Sequence, residues 1–398
     1  MSLVLYDDAR ARAFEPFALT RPGGEMRAGS VLVRRRWERA LETVATGMVV
    51  APHLSEFEEA DTPPILSGDI PAGTVLANTR CAVTMDELPL ADVWRCEGRV
   101  AAVRLASPIS GGALADGTLD LASLVPPSAR TADVVGWWID EVWDYIRHLP
   151  ALLEHDIECL AESLDLEPGL HLTKLGRFPV YVERGARVDP FVVFDCTAGP
   201  VLVRRRAAIA AFTRLVGPCS IGPETQVLGG RIATSSIGDA CRVAGEVSTT
   251  IMVGHSNKAH DGFVGHSILG RWVNLGASTV TSNLKNTYGT VALWTPSGLR
   301  DSGLQFLGTL AGDHVKTAIG TRLTTGCVLG TGANVFGDST VSKVVPPFSW
   351  GSTGSESYDL DRFLAVAERA MVRRSVVLSP RVRRTLERAY ELRWQVRG

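Results

Sequence analysis

No stretch of this sequence stays apolar for the roughly 20 residues that a membrane-spanning helix needs. The first residues, MSLVLYDDARARAF, include acidic side chains where a signal peptide would continue its apolar run. Neither sign of charge is in large excess, because 41 basic and 43 acidic residues give a formal net charge of −2. We therefore predict a cytoplasmic protein that binds neither membranes nor nucleic acids.

Cysteine is scarce and scattered. The seven cysteines form no CxxC pair, which argues against a zinc site or a disulfide framework and is typical of a reducing compartment. The sequence therefore predicts no metal ligands. A length of 398 residues is too great for one ordinary core, so two or more domains are expected.

The N-terminal part alternates short apolar runs with turn residues. SLVLYDD, GMVVAP, GTVLAN and GRVAAVRLA are typical of buried strands, and SVLVRRRWERALETV of a helix between two of them. This alternation predicts an α/β domain over residues 1–130, small for a complete doubly wound (Rossmann-like) sheet. Residues 131–175 are predicted to be a helical linker in which Pro150 breaks or restarts the helix.

From about Val180 an aliphatic residue followed by a small one recurs, as in Ile221-Gly222 and Leu275-Gly276, at intervals near multiples of six. A six-residue period predicts a parallel β-helix, here over residues 176–350, with aliphatic side chains stacked inward and small residues at the corners. Two segments break the pattern and are predicted insertions, near 203–215 and at 283–306.

The tail, residues 351–398, is rich in arginine. Its interleaved glutamates and regular apolar spacing favour an amphipathic helix that caps the β-helix or packs on a neighbour, over an arm that binds nucleic acid.

One stretch of the β-helix is unusually polar: SNKAHDGFVGHSILGRWVNLGASTVTSN, from Ser256 to Asn283. Because inward positions of a coil should be apolar, we expect its polar side chains to point outward. A metal site lacks completing Asp or Cys residues. A histidine acting as general base is the better hypothesis, with asparagines and backbone amides orienting a substrate and stabilising a thioester oxygen.

This stretch resembles the acetyltransferase half of GlmU-type bifunctional enzymes, which acetylate glucosamine-1-phosphate on a left-handed β-helix and transfer a uridylyl group on an N-terminal domain. The resemblance implies that His260 is the base and that Asn274 binds the amino-sugar phosphate. Ala277 and Asn283 would contact acetyl-CoA, the implied acyl donor. The remaining predicted contacts are Asn257 and Lys258 for the substrate, and Lys316 and Thr317 for acetyl-CoA. Homotrimers with sites between subunits are also implied.

The sequence departs from the GlmU pattern at three positions. Phe263 stands where the family has a tyrosine, Ser248 where a basic residue is expected upstream, and Leu284 where a tyrosine usually follows the motif. The sugar therefore differs or binds differently, and the pattern is closer to a divergent branch of shorter GlmU-related sugar nucleotidyltransferases of bacteria.

The N-terminal segment lacks the glycine-rich loop of conventional sugar nucleotidyltransferases. In LTRPGGEMRAG, Arg21 and Arg27 are candidate phosphate ligands, although arginines that simply cap a sheet explain the pattern equally well. Asp69 and Asn78 lie at predicted strand ends, where α/β folds often make ligand contacts. The metal-binding carboxylates of the conventional enzyme have no recognisable counterpart.

Three functional hypotheses follow. The first is an acyltransferase that uses acetyl-CoA on an amino-sugar-1-phosphate resembling glucosamine-1-phosphate, with a nucleotidyltransferase-like domain attached. The second is a nucleotidyltransferase that makes an NDP-sugar and pyrophosphate from an NTP and a sugar-1-phosphate with Mg²⁺, its β-helix serving assembly. The third is a non-catalytic scaffold.

Overall fold

The structure, a computed structural model, describes residues 2–337 and 341–395. Its N-terminal part is built on a six-stranded mixed sheet with the order β2-β1-β3-β5-β4-β6. The strands are β1 (Leu3–Tyr6), β2 (Ala45–Val49), β3 (Val75–Asn78), β4 (Val93–Cys96), β5 (Arg99–Arg104) and β6 (Thr131–Asp133).

Strands β1, β2 and β3 run parallel, and β5 turns antiparallel to β3. Every residue of β1 and β3 is buried because both faces of the sheet are covered. All four runs predicted as strands, and the helix α1 (Val33–Ala40), are confirmed. The remaining elements before the linker are α2 (Gly111–Leu114), 3₁₀ turns at Ala11–Ala13, Gly23–Glu25, Pro52–Leu54 and Leu121–Leu124, and short strands at Arg27–Ala28, Val31–Leu32 and Cys81–Val83.

The helical prediction for the segment after residue 130 is wrong at its beginning. Residues Thr131–Asp133 add β6 to the sheet, and Gly136–Trp138 pairs antiparallel with Cys81–Val83. Open strand edges thus outweigh the helical spacing of the apolar residues. Helices follow only at α3 (Asp144–Arg147) and α4 (Leu149–Ala161), and Pro150 lies in the first turn of α4, where a missing N–H costs nothing.

The second part is a parallel β-solenoid, as predicted, whose longest face has nine strands. That face consists of Val180–Val182, Val201–Val203, Cys219–Ile221, Ser236–Asp239, Ile251–Gly254, Ile268–Arg271, Leu310–Ala311, Val328–Leu329 and Val344–Val345. A second face consists of Thr173–Leu175, Val193–Asp195, Thr213–Val216, Gly230–Ala233, Glu246–Ser248 and Phe263–Gly265. The third face carries Arg187–Val188, Ala208–Ile209, Gln226–Val227, Arg242–Val243, Asn257–Lys258, Lys316–Thr317 and Asn334–Val335, and the short pair Val280–Thr281 and Arg322–Leu323 adds one further ladder.

Of the two predicted insertions, only the second exists. Residues 283–306 leave the solenoid and contain a hairpin of Ala292–Thr295 and Gly298–Asp301. Residues 203–215, by contrast, continue the regular coil, with Ala208–Ile209 in register with the neighbouring coils. The arginines of that segment point outward from the coil, so they hide the hexad pattern without interrupting it.

The tail forms two helices, α5 (Leu360–Val372) and α6 (Pro380–Glu391), capped by the side chains of Asp359 and Ser379. Their apolar faces pack together around Phe363 and Leu386 and against Trp272 and Phe348 of the solenoid. They therefore lie along its side. Within the described residues no helix has the length and apolar character to span a bilayer.

Candidate active site

The third face of the solenoid aligns one outward side chain from each coil. Arg242 pairs in register with Asn257, Asn257 with Asn274, and Asn274 with Lys316. Parallel register stacks these residues about 4.8 Å apart. The repeat thereby converts polar residues 15 to 42 positions apart in the sequence into one continuous ladder.

A cavity of about 440 Å³ opens beside this ladder. His260, Asn257, Asn274 and Ala277, four of the predicted site residues, all line it. His260 is exposed at its rim. The structure thus brings the candidate base, both candidate substrate asparagines and one candidate acetyl-CoA contact together.

Asn257 is held from two sides. Its Nδ2 donates to Asn274 Oδ1 at 3.2 Å, and its Oδ1 accepts from Nη2 of Arg374 at 2.7 Å. Arg374 lies just after α5, and with Arg373 and Arg242 it lines the same cavity. The C-terminal helices therefore complete the wall of the site, a contribution that the sequence pattern did not reveal.

An adjoining cavity of about 290 Å³ shares Asn257, Asn274, Arg373 and Arg374 with the first. It carries a basic cluster, defined here as Lys316, Arg369, Arg373 and Arg374. None of the four is ion-paired to a carboxylate of the described chain. Burial lowers the pKa of Lys316 to about 8, and burial together with Arg242 and Arg373 lowers the pKa of Arg374. Unpaired cations at close range repel one another, so the cluster is suited to binding an anion.

Lys258 points inward, although the polar residues of this stretch were predicted to point outward. It occupies an inward position in register with Val243, and its side chain is only 2% exposed. Its ammonium donates to the carbonyl oxygens of Ala244 and His260. Burial lowers its pKa to about 8. The side chain therefore supports the corner that carries His260 from inside the coil.

The other predicted acetyl-CoA contacts are dispersed. Thr317 is buried, and its hydroxyl accepts from the Gly276 amide at 3.0 Å. Asn283 is half-buried, with Nδ2 2.8 Å from Nδ1 of His266. Neither lines the cavity around His260, whereas Lys316 lies in the basic cluster next to it.

The two arginines proposed as phosphate ligands are buried at the contact between the N-terminal domain and the solenoid. Arg21 bonds both carboxylate oxygens of Glu59, at 2.6 and 2.9 Å, and contacts Asp313 at 3.1 Å. Arg27 donates to the carbonyl of Ser30 at 2.5 Å. Both guanidinium groups are thus already bonded within the protein.

A third cavity, of about 620 Å³, lies where β1 and β3 end, the usual ligand position in parallel sheets. Four arginines that sequence analysis did not select line it: Arg10, Arg80, Arg95 and Arg99. Arg80 binds Asp8 through Nη2 at 2.7 Å and Asp140 at 2.6 Å. In the sequence, the position of Asn78 at a strand end was the one feature that pointed to this cavity. The Asn78 side chain donates to Asp8 at 2.9 Å, beside Arg80.

The donor set of this cavity does not fit a Mg²⁺ ion. Burial acts to raise the pKa of Asp8, but Arg80 outweighs it and lowers the pKa, so the carboxylate is ionised and already held by a guanidinium. In residues 2–337 and 341–395, no three His, Cys, Asp or Glu side chains come together as a metal site. Asp69 lies outside the cavity and accepts from the Gly111 amide at 3.2 Å.

Asp7 follows β1 directly, and its carboxylate is hydrogen-bonded within the protein. Asp7 accepts from the Gly23 amide at 2.9 Å and from Thr79 Oγ1 at 2.6 Å, and burial raises its pKa to about 6. The Gly23 amide, which lies between Arg21 and Arg27 in the sequence, is therefore already bonded within the protein.

Comparison with known proteins agrees with the N-terminal part of this architecture. Residues 3–164 match the family model described as sugar nucleotidyl transferase. The chain resembles GlmU proteins over about half of its length. It is 27% identical over 188 residues to the bifunctional protein GlmU of Acaryochloris marina, covering 47% of this chain and 36% of that protein. Similarity to the bifunctional protein GlmU of Synechococcus sp. strain CC9311 is 24% over 211 residues, 52% of this chain and 41% of the relative. The matches thus span well under half the length of these GlmU proteins.

Proposed function

We propose that this GlmU-like chain is a transferase that moves an acetyl group from acetyl-CoA to the amine of a phosphorylated amino sugar. The observation that carries the proposal is the cavity that His260 shares with Asn257, Asn274 and Ala277, next to the basic cluster. An exposed imidazole, amide side chains and unpaired cations are the groups that such a reaction requires.

In the proposed step, the substrate amine attacks the thioester carbonyl carbon. His260 takes the proton that the amine loses, the new C–N bond forms, and the C–S bond breaks to release CoA. No covalent enzyme intermediate is needed. The Ala277 N–H, which donates to no acceptor in the described part of the chain, is available to the developing oxyanion.

The basic cluster supports a substrate that carries phosphate. Asn257 and Asn274 would orient the sugar, because each amide offers both a donor and an acceptor. Assembly as a homotrimer is proposed from the family resemblance, with NTP, sugar phosphate and CoA thioester as the partner classes.

Nucleotidyl transfer by the N-terminal domain is the second candidate, favoured by the family match of residues 3–164. The arginines of its cavity are less available to an anion than the side chains of the basic cluster, because most of them are paired with carboxylates. Arg80 and Arg99 are paired with Asp140, and Arg10 with Glu141. A phosphate that binds Arg10, Arg80 or Arg99 would have to displace these carboxylates.

The test is release of CoA from acetyl-CoA with a panel of amino-sugar phosphates. His260→Ala should lower turnover by about 10²–10⁴-fold, the usual contribution of a general base. Because His260 is exposed, the variant should keep its fold. His171→Ala, which changes another exposed histidine, is the matched control.

Equal turnover by wild type and His260→Ala would refute the proposal. Absence of CoA release, together with pyrophosphate release from an NTP and a sugar-1-phosphate, would transfer the activity to the N-terminal domain.

A further inference from the structure

A fourth cavity, of about 490 Å³, lies between the N-terminal domain, the solenoid and the C-terminal helices. Its outer wall is apolar, formed by Phe57 and by residues of the helical tail: Met371, Val376, Val377, Val382 and Leu386. His255 and Trp272 line it and also line the cavity of the basic cluster. The interdomain cavity therefore adjoins the cavity of the basic cluster, which in turn adjoins the His260 cavity.

Aromatic rings line the boundary between the interdomain cavity and the basic cluster. His255, Trp272 and His314 occupy equivalent positions in successive coils, each with a positive φ. The Trp272 ring is tilted by 39° from the His255 ring and by 19° from the His314 ring. Ring centroids of His255 and Trp272 are 4.4 Å apart, and those of Trp272 and His314 are 6.2 Å apart. A planar ligand would meet flat, uncharged surfaces here, because burial lowers the pKa of His255 to about 4 and that of His314 to about 3.

The floor of the interdomain cavity is charged but balanced. Glu59 pairs with Arg21 at 2.6 Å and with Arg271 at 3.2 Å, and Arg271 also pairs with Asp239 at 2.9 Å. Burial acts to raise the pKa of Glu59, but the two arginines dominate and lower it to about 2. Ionised carboxylates disfavour an anion in this cavity, whereas the adjoining basic cluster lacks them.

One buried polar group in the wall has no partner. His314 is only 5% exposed, and its Nδ1 forms no hydrogen bond within the described residues. A buried polar atom without a partner is costly, so His314 Nδ1 is suited to hydrogen bonding with a ligand.

We propose that this series of cavities binds a nucleoside diphosphate group, with the base in the interdomain cavity and the diphosphate on the basic cluster. A volume of about 490 Å³ is in the range of small-molecule sites. The arrangement separates an aromatic, neutral compartment from a cationic one, as a nucleotide requires. The part of the ligand beyond the diphosphate would then lie toward His260. This last placement rests on the proposed function.

Two classes of ligand carry a nucleoside diphosphate group. Coenzyme A carries an adenosine diphosphate group, and a nucleotide-linked amino sugar carries the diphosphate next to the sugar. In the second case the acceptor is an NDP-amino sugar instead of a sugar-1-phosphate.

The test is calorimetric titration of the full chain with ADP, UDP, CoA, a UDP-amino sugar and inorganic pyrophosphate. Val382→Phe fills the interdomain cavity and should weaken nucleotide binding by at least about tenfold while leaving pyrophosphate binding unchanged. Arg373→Ala should weaken both. The controls are Val372→Phe and Arg362→Ala, which change exposed positions of α5 that line neither cavity.

Preference for CoA and ADP would assign the site to the acyl donor, and preference for UDP and the UDP-amino sugar to the acceptor. Nucleotides that bind no more tightly than pyrophosphate, or that bind Val382→Phe normally, would overturn the proposal. So would binding lost only in Arg99→Ala, which changes the N-terminal cavity. His260→Ala should retain nucleotide binding, so failure of acyl transfer is distinguishable from failure of this site.

Discussion

Arg374 donates from Nη2 to the side-chain oxygen of Asn257 at 2.7 Å, across 117 residues of sequence. Through this bond the C-terminal helices orient an amide in the wall of the His260 cavity. We expect Arg374→Ala to raise KM for the phosphorylated acceptor by about 10-fold, the equivalent of one charge-assisted hydrogen bond, with a smaller change in kcat. Steady-state kinetics measure the two separately.

Arg362→Ala is the control for this experiment, because Arg362 is an exposed arginine of α5 outside the cavity. Arg374→Lys should recover part of the loss, since a lysine restores charge but not the geometry of the guanidinium. An unchanged KM in Arg374→Ala would show that Asn257 does not need this partner.

Lys316 predicts a pH dependence of anion binding. Burial lowers its pKa to about 8, so it is charged at pH 7 and largely neutral at pH 9.5. The affinity of the wild type for sulfate, an anion that does not titrate in this range, should fall between pH 7 and pH 9.5. In Lys316→Met the affinity should be lower at pH 7 and nearly independent of pH. Parallel pH profiles for the two proteins would contradict the assignment.

Lys258 predicts that stability depends on pH. The sign of this dependence is opposite to that of a lysine whose pKa is raised by a salt bridge. Its pKa is about 8 in the folded protein, lowered by burial from the ordinary lysine value of 10.5. Below pH 8 both states are protonated and the buried charge reduces stability in full. Between pH 8 and 10.5 the unfolded state binds more protons, so the free energy of unfolding rises with pH.

The increase in the free energy of unfolding that is attributable to Lys258 is on the order of 2–3 kcal/mol. Lys258→Met keeps the aliphatic stem but has no titrating group, so its free energy of unfolding should not show this increase. Urea denaturation at pH 7.5 and pH 10 measures it. Other groups titrate in the same window, so the quantity to compare is the difference between wild type and variant at each pH. A constant difference would mean that Lys258 keeps an ordinary pKa.

Arg21 predicts a large effect of breaking one buried ion network. Its side chain is 1% exposed and bonds Glu59 and Asp313. Arg21→Ala leaves these carboxylates with fewer partners and should lower the free energy of unfolding by about 3–5 kcal/mol. Arg35→Ala removes a pair with Glu38 from a side chain that is 42% exposed and should cost no more than about 1 kcal/mol. Equal losses, measured by urea denaturation, would contradict the role of burial.

Local pattern was sufficient for much of the fold. The runs LVLY and VLAN are apolar throughout, and such strands belong in a sheet covered on both faces. The hexad period of the solenoid is equally local, because each aliphatic side chain stacks on its equivalent in the next coil. The same repeat places Asn257 and Asn274 in register, so part of the candidate site was predictable too, whereas Lys316 joins them only after the insertion at 283–306.

Patterns of apolar spacing failed where another part of the chain supplied the partner. Residues 131–138 have helical spacing but join open strand edges, and the arginines at 204–206 conceal a regular coil. Lys258 sits inward because the carbonyls of Ala244 and His260 receive its ammonium, an exception that no periodicity indicates.

The sequence by itself determined the class of each part: an α/β sheet, a solenoid of hexads and a helical tail, together with the polar stretch around His260. The tertiary structure alone decided which charges are satisfied and which are free. Arg21 finds Asp313 across 292 residues and is neutralised, whereas the basic cluster gathers from the solenoid and the tail with no carboxylate among its lining residues. The physical reason is that periodicity is a property of neighbours in sequence, while charge compensation depends on distance in space.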